Sequence, residues 1–170
     1  DSGREIAFQY CNISYGGNGA ESLIYADHIF RYLPEKEMIF QHCNIHHSSR
    51  RAIYLQHSNI SLTHSKIHHP GDAEGVVISY SGISKIENNE ITVQPYSRTI
   101  SIYFDYSSDG KSYIRNNHIT KLDGGYGFRI NSNNGNSPDS IFVENNIFEG
   151  YDYFSVSTTN NNYTLFDGNI

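Results

Sequence analysis

The strongest constraint on the fold is a six-residue pattern that recurs along the whole chain. An apolar residue is followed by two variable residues, a small or amide residue, one variable residue and an isoleucine, as in the stretch from Phe40 to Ile45. The closing isoleucines are Ile13, Ile45, Ile67, Ile91, Ile119, Ile147 and Ile170. Their mean spacing is about 26 residues, which is typical of architectures in which each repeat is one supersecondary unit.

Two further apolar stretches lie between successive copies of this pattern. One is represented by Ala52-Ile53-Tyr54-Leu55, and the other leads into the next copy, as in Asn59-Ile60-Ser61-Leu62. Both alternate with a period of two, as strands do. Each repeat therefore predicts about three short strands with Gly, Asn and Asp at the corners. Only 18% of the residues are charged, which disfavours long helices laced with ion pairs.

This repeat resembles the right-handed parallel β-helix of the pectin-lyase-like superfamily, and the resemblance covers nearly the whole chain. It implies an all-β fold, a right-handed single-stranded parallel β-helix with about six to seven coils of three short strands each. The isoleucine column then fills the interior, and Asn89, Asn117 and Asn145 correspond to the asparagine ladder of the superfamily. We expect residues 1–170 to form a single domain that is a segment of a longer protein.

Charge and hydropathy narrow the classes of partner. The chain has 12 Lys and Arg against 18 Asp and Glu, a net charge of −6, whereas nucleic-acid binders usually carry a basic stripe. Apolar runs are only a few residues long, too short for a membrane span. We therefore expect no nucleic acid and no membrane insertion. The expected partners are a polysaccharide and the flanking β-helix coils or domains of the parent chain, at an extracellular or cell-surface location.

Two cysteines, Cys11 and Cys43, fall at the same position of the first two copies. If their coils are adjacent, the two Cα atoms lie about 5 Å apart, inside the range that a disulfide allows. The alternative is a pair of stacked thiols in a crowded corner, because stacked side chains run parallel whereas a disulfide pulls them together. The sequence leaves both interpretations open.

Histidines also form columns in the repeat alignment. His42 matches His64, His46 matches His68, and His47 matches His69. Because Ile45 and Ile67 point inward, the imidazoles next to them point outward. Such a pair can bind a divalent metal, act as a general base on a uronic acid, or form a solvated polar ladder. We expect no metal centre and no cofactor; a loop at 131–139 offers calcium a single carboxylate, which is a weak site.

The outward positions of the second strand carry no carboxylate. They are predicted to be Ile24, Tyr54, Val77, Ser101, Arg129 and Ser155. Neither the calcium-holding carboxylates of many pectate lyases nor the clustered Asp of polygalacturonases transfers to these positions. We instead predict His46 or His68 as the base, Tyr54 as the partner acid and Arg129 as the group that neutralises a uronate.

Tyrosine-rich and basic positions suggest substrate contacts, since tyrosine rings stack on sugars and cations pair with uronate or sulfate groups. The predicted substrate-binding residues are Tyr103, Tyr126, Tyr151, Arg51, Lys121 and Asp72. The plain alternative is that tyrosine is simply a good strand former. Two functions remain: a domain that binds and cleaves an anionic polysaccharide as a lyase, hydrolase or epimerase, or a non-catalytic structural, adhesion or glycan-binding module of a surface or phage assembly.

Overall fold

The computed structural model describes residues 6–14, 22–27, 37–68, 75–81, 84–93, 100–104, 111–121, 126–132, 140–150, 153–158 and 163–170. Within these ranges the strands belong to three parallel sheets, and consecutive strands along the chain enter sheet 1, sheet 2 and sheet 3 in turn. One strand from each sheet makes one coil. Each strand pairs in parallel with its counterparts in the adjacent coils, which is the parallel β-helix that the repeat predicts.

The strands of each sheet stack in chain order. Sheet 1 contains β1 (Ile6–Gln9), β4 (Glu37–Gln41), β7 (Asn59–Thr63), β10 (Ser84–Glu87), β13 (Lys111–Arg115), β16 (Ser140–Glu144) and β19 (Tyr163–Asp167). Sheet 2 contains β2 (Asn12–Ser14), β5 (Asn44–His46), β8 (Lys66–His68), β11 (Glu90–Val93), β14 (His118–Lys121) and β17 (Ile147–Glu149). Sheet 3 contains β3 (Ser22–Asp27), β6 (Arg51–Gln56), β9 (Val76–Ser81), β12 (Ile100–Phe104), β15 (Tyr126–Ser132) and β18 (Tyr153–Thr158).

The core is the lumen of the coils. Alternate residues of each strand point inward, so equivalent apolar side chains stack from coil to coil. The fully buried ones include Phe40, Leu62, Ile86 and Ile114 from sheet 1, Ile45, Ile67, Ile91 and Ile119 from sheet 2, and Ile53 and Leu55 from sheet 3. Each such side chain contributes about 1.5–3 kcal/mol by leaving water.

One residue per coil turns the chain from sheet 1 into sheet 2 with a left-handed backbone. The later coils use Asn88, Asn116, Asn145 and Gly168 there, residue types that tolerate a positive φ. At Gly168 a Cβ would also collide with Oδ1 of Asn145. The earlier coils place Tyr10, His42 and His64 at the same corner, with φ of 53°, 53° and 49°. A bulky side chain in this conformation costs about 1–2 kcal/mol.

The residue after each corner points inward and forms a hydrogen-bonded ladder. The backbone N–H of Asn89 donates to Oδ1 of Asn117 at 3.0 Å, and Nδ2 of Asn89 donates to the carbonyl of Leu62 at 2.9 Å. In the same way, the N–H of Asn117 donates to Oδ1 of Asn146, and the N–H of Asn146 donates to Oδ1 of Asn169. The predicted ladder is therefore confirmed at Asn89 and Asn117.

The prediction of Asn145 as a ladder residue is wrong by one position, because Asn146 occupies the ladder. The last two copies of the pattern are therefore shifted by one residue relative to the sequence alignment. Ile119 pairs with Phe148, so Phe148 packs against the core and Ile147 is 43% exposed. Asn169 is the next ladder residue, so Ile170 stands in the same position as Ile147. Ile170 also points outward and is 86% exposed. Because side chains alternate with a period of two, a one-residue slip exchanges the buried and exposed faces.

A second correction concerns the outward column of sheet 3. Tyr25 pairs with Tyr54, whereas Ile24 pairs with the buried Ile53. Tyr25 is 56% exposed, so it takes the outward position that the sequence alignment gave to Ile24. The register then continues from Tyr54 through Val77 and Ser101 to Arg129, as predicted.

Candidate functional site

The first three coils carry a surface of rings and amides that we call the histidine–amide face. It is formed at the sheet 1–sheet 2 corner and on the outer side of sheet 2. Its members are Tyr10, Asn12, His42, Asn44, His46, His47, His64 and His68.

The corner column of this face is a stack of exposed rings. The rings of Tyr10 and His42 are 4.9 Å apart and nearly parallel, and those of His42 and His64 are 5.2 Å apart. Tyr10 is 78% exposed. Since its two neighbours cover the faces of the His42 ring, His42 presents ring edges to solvent. This column therefore offers hydrogen-bonding nitrogen and hydroxyl edges rather than a flat stacking platform.

Amides hold the imidazoles of sheet 2 in one orientation. Nε2 of His46 lies 2.7 Å from Oδ1 of Asn12, and Nε2 of His68 lies 2.9 Å from Oδ1 of Asn44. Asn44 Nδ2 also donates to Oδ1 of Asn12 at 3.2 Å. An amide oxygen only accepts, so Nε2 of each imidazole carries the proton. In the neutral form, the lone pair of each ring is then on Nδ1.

His47 extends this network by one more ring. Its Nδ1 lies 2.6 Å from Nδ1 of His46. Because Nδ1 of neutral His46 has the lone pair, Nδ1 of His47 is the donor, and the lone pair of neutral His47 is on Nε2. His47 is exposed, whereas His46 and His68 are half-buried and stack at 5.0 Å. In the neutral state the lone pair of His47 is therefore on Nε2, and that of His68 is on Nδ1.

The structure brings His46 and His68 together, as predicted, but places Tyr54 and Arg129 elsewhere. Tyr54 lies on β6 of sheet 3, beyond the turn that follows His47. Its ring is covered by the guanidinium of Arg51 at 5.0 Å and contacted by Tyr25 at 5.5 Å. Arg129 lies on β15, three strand steps from Tyr54, or about 14 Å at the usual strand spacing.

The remaining predicted substrate-binding positions are spread over several strands. Tyr103 of β12 pairs with Ser79 and Asn131, and Tyr126 of β15 pairs with Tyr153. Lys121 ends β14 and pairs with Val93. Asp72 and Tyr151 lie outside the described residues. The register does not bring these positions to the histidine–amide face.

Sequence reasoning missed Asn12, Asn44 and His47 as members of the site. One signal was present, since an asparagine precedes the inward isoleucine in the first two copies, Asn12-Ile13 and Asn44-Ile45. No sequence signal shows that His47 contacts His46 rather than solvent alone. That contact depends on the positive φ of His47, 53°, which turns its ring back toward sheet 2.

The stretch of chain that carries most of this face is locally cationic. Residues 37–68 contain Arg50, Arg51 and Lys66 beside their histidines, and Glu37 is their one acidic residue. Glu37 is itself paired with Lys85 at 2.9 Å, and Lys66 is paired with Glu90 of the next coil at 2.7 Å. A face of this kind attracts carboxylate or sulfate groups even though the whole chain is acidic.

The described ranges contain no group of three or more His, Cys, Asp or Glu side chains arranged to hold a metal ion. They also contain no helix that is long and apolar enough to cross a bilayer.

Comparison with known proteins gives one match. A family described as right handed beta helix region matches residues 1–170, the whole chain. No curated protein and no solved structure matches the chain.

Proposed function

The chain belongs to the right-handed β-helix family, and we propose that it is a secreted or cell-surface domain whose histidine–amide face binds an anionic polysaccharide and transfers a proton during its cleavage or epimerisation. The observation that carries the proposal is the oriented cluster of imidazoles and amides on a cationic part of an acidic protein. This part of the surface combines hydrogen-bond donors, acceptors and proton-accepting atoms.

The spacing of the face supports a polymeric ligand. In the corner column, successive rings of Tyr10, His42 and His64 are 4.9 and 5.2 Å apart. In the sheet 2 column, the rings of His46 and His68 are 5.0 Å apart. A polymer lying along the stack meets equivalent groups at each coil. Ring edges and amides hydrogen-bond to hydroxyl groups, and Arg50 attracts carboxylates. The proposal thus relies on hydrogen bonds and charge rather than on rings stacked against sugars.

Proton transfer is assigned to His47 and His68. Nε2 of His47 and Nδ1 of His68 have the accepting lone pairs in the neutral state, and each is part of a network that ends at an asparagine of the preceding coil. His46 and Asn12 act as positioning residues for His47. A base held in one tautomer is suited to remove the proton next to a uronate carboxylate, a step in which general-base catalysis contributes about 10²–10⁴-fold.

The test compares polyuronate binding and turnover in matched histidine variants. Affinity electrophoresis measures binding, and ultraviolet absorbance of unsaturated uronate, reducing ends and proton exchange at the carbon next to the carboxylate measure chemistry. We expect His47→Ala and His68→Ala to lower the rate by at least about 10²-fold with binding largely retained. His57→Ala is the control, because His57 lies at another turn and pairs with Asp27 at 3.1 Å. If no polyuronate or sulfated glycan binds to the wild-type chain, the proposal is wrong.

A second candidate is a non-catalytic structural, adhesion or glycan-binding module. It is favoured by the scatter of the predicted catalytic groups, because Tyr54 lies on sheet 3 and Arg129 lies three strand steps from it. In that case the wild-type chain binds glycan without forming product or exchanging protons. His47→Ala then changes affinity alone.

A further inference from the structure

Cys11 and Cys43 occupy the same ladder position in adjacent coils. The backbone N–H of Asn44 donates to the carbonyl of Cys11 at 2.8 Å, so the two cysteine segments are direct neighbours. Neighbouring parallel strands lie about 4.8 Å apart. This separation is inside the Cα range of about 4.4–6.8 Å that disulfides show.

Both thiols donate to backbone carbonyls near the corner. Sγ of Cys43 donates to the carbonyl of Phe8 at 3.3 Å, and Sγ of Cys11 donates to the carbonyl of Gln9 at 3.3 Å. Cys43 is only 2% exposed, whereas Cys11 is half-buried.

The ladder by itself does not call for cysteine at these positions. In the following coils it is built from Ser65, Asn89 and Asn117, whose hydroxyl and amide groups donate and accept strongly. A thiol is a weaker donor and acceptor. Yet the only two cysteines of the chain stand next to each other in this ladder. Their side-chain chemistry, rather than their hydrogen bonding, distinguishes them from serine.

We propose that Cys11 and Cys43 are a redox pair that forms a reversible disulfide between the first two coils. The oxidant is a low-molecular-weight disulfide such as oxidised glutathione. The thiolate of Cys11 attacks it, forming a Cys11–glutathione bond and releasing one glutathione thiolate, which takes a proton from solvent. The thiolate of Cys43 then attacks Sγ of Cys11, forming the Cys11–Cys43 bond and releasing the second glutathione.

The order of the two steps follows from the environments of the thiols. Cys11 is the less buried of the two thiols and reacts first. Burial raises the pKa of the Cys43 thiol above its ordinary value, so Cys43 remains protonated at neutral pH and reacts second. Because the thiolate is the nucleophile, closure of the disulfide becomes faster as the pH rises toward the pKa of Cys43.

Closing the bond requires only a small shift of the two segments. Stacked Cβ atoms must approach from the strand spacing of about 4.8 Å to about 3.8 Å. A disulfide that retains some strain is more easily reduced.

The test oxidises the reduced full chain with oxidised glutathione, traps the remaining thiols with iodoacetamide and maps the peptides by mass spectrometry. We expect one cross-linked peptide joining Cys11 and Cys43 within a monomer, and an unfolding midpoint that rises by about 5–10 °C and returns after dithiothreitol treatment. Closure should be faster at about pH 9 than at about pH 7.

Two variants separate the steps. Cys43→Ser, which places at this position the residue type of Ser65, should accumulate glutathione on Cys11. Cys11→Ser should leave Cys43 unmodified in the folded chain. A stable glutathione adduct on wild-type Cys11, dimers linked through cysteine, or two unreacted thiols would each overturn the proposal. None of these results bears on glycan binding, so this inference and the proposed function fail independently.

Discussion

At the scale of single residues, the ladder position shows how a buried polar side chain stabilises an otherwise apolar stack. Asn117 is 1% exposed, and its amide forms bonds with both neighbouring coils. Nδ2 of Asn117 donates to the carbonyl of Ile86 at 2.8 Å, and its Oδ1 accepts from the N–H of Asn89. A buried polar group is costly unless it is paired, so a complete set of bonds at each coil is what makes amides tolerable in the lumen.

We predict that Asn117→Ala lowers the free energy of unfolding by about 2–4 kcal/mol. The substitution leaves the N–H of Asn89 and the carbonyl of Ile86 buried without their side-chain partners, each at a cost of about 1–3 kcal/mol. Urea unfolding measures the change. The control is Asn116→Gly, since Asn116 is exposed and has a φ of 55° that glycine adopts easily. Equal destabilisation by both variants would contradict the importance assigned to the ladder.

At the scale of strands, the register is set by the corner and the ladder rather than by the most conspicuous apolar residue. The repeat alignment puts Ile147 inward, yet Val143 pairs with Ile114 and Phe148 with Ile119. Asn145 takes the left-handed corner and Asn146 the ladder. The hydrogen bonds of the ladder amide can form in one register only, whereas either isoleucine or phenylalanine can fill the apolar site. The amide therefore determines the register of this strand.

A pair of substitutions tests this register. Phe148→Ala should lower the free energy of unfolding by about 2–4 kcal/mol because it empties part of the core. Ile147→Ala should change it by less than about 1 kcal/mol because this side chain points to solvent. Thermal and urea unfolding of the two variants measures the difference. The register found here is wrong if Ile147→Ala proves the more destabilising change.

At the scale of the whole molecule, charge is distributed unevenly. The net charge is −6, but residues 37–68 are rich in His, Lys and Arg and contain one acidic residue, Glu37. Electrostatic attraction of a polyanion is screened by salt over about 8 Å at physiological ionic strength, so the local charge of this region matters more to a bound polyanion than the net charge of the chain.

We predict that polyuronate binding weakens as salt rises from about 0.05 M to about 0.5 M, and that Arg50→Ala weakens it at low salt by severalfold. Lys111→Ala is the control, because it removes another exposed cation, from sheet 1 in a later coil. Affinity electrophoresis at both salt concentrations provides the comparison. Equal effects of the two variants would show that overall charge, and not the histidine–amide face, governs binding.

Much of the fold could be predicted from the sequence because its signals are local. Alternating apolar residues recur in every coil, and they identify Phe40, Ile45 and Leu55 as core without any knowledge of the neighbouring coils. The pairing of His46 with His68 was predicted for the same reason, since both follow an inward isoleucine. The offset at Ile147 was not predicted because loops of different length separate the copies, so pattern matching alone did not fix the register there.

By itself, then, the sequence determined the parallel coils, the lumen residues and the neighbours along each column, since a period of two and a recurrent corner depend only on nearby residues. Tertiary structure decided which groups can act. The proton of His46 is fixed by Asn12 from another coil, His47 returns to His46 through a positive φ, and the ring of Tyr54 is covered by Arg51. The tautomers of the histidines and the accessibility of the rings depend on distances between side chains that are set only when the coils stack.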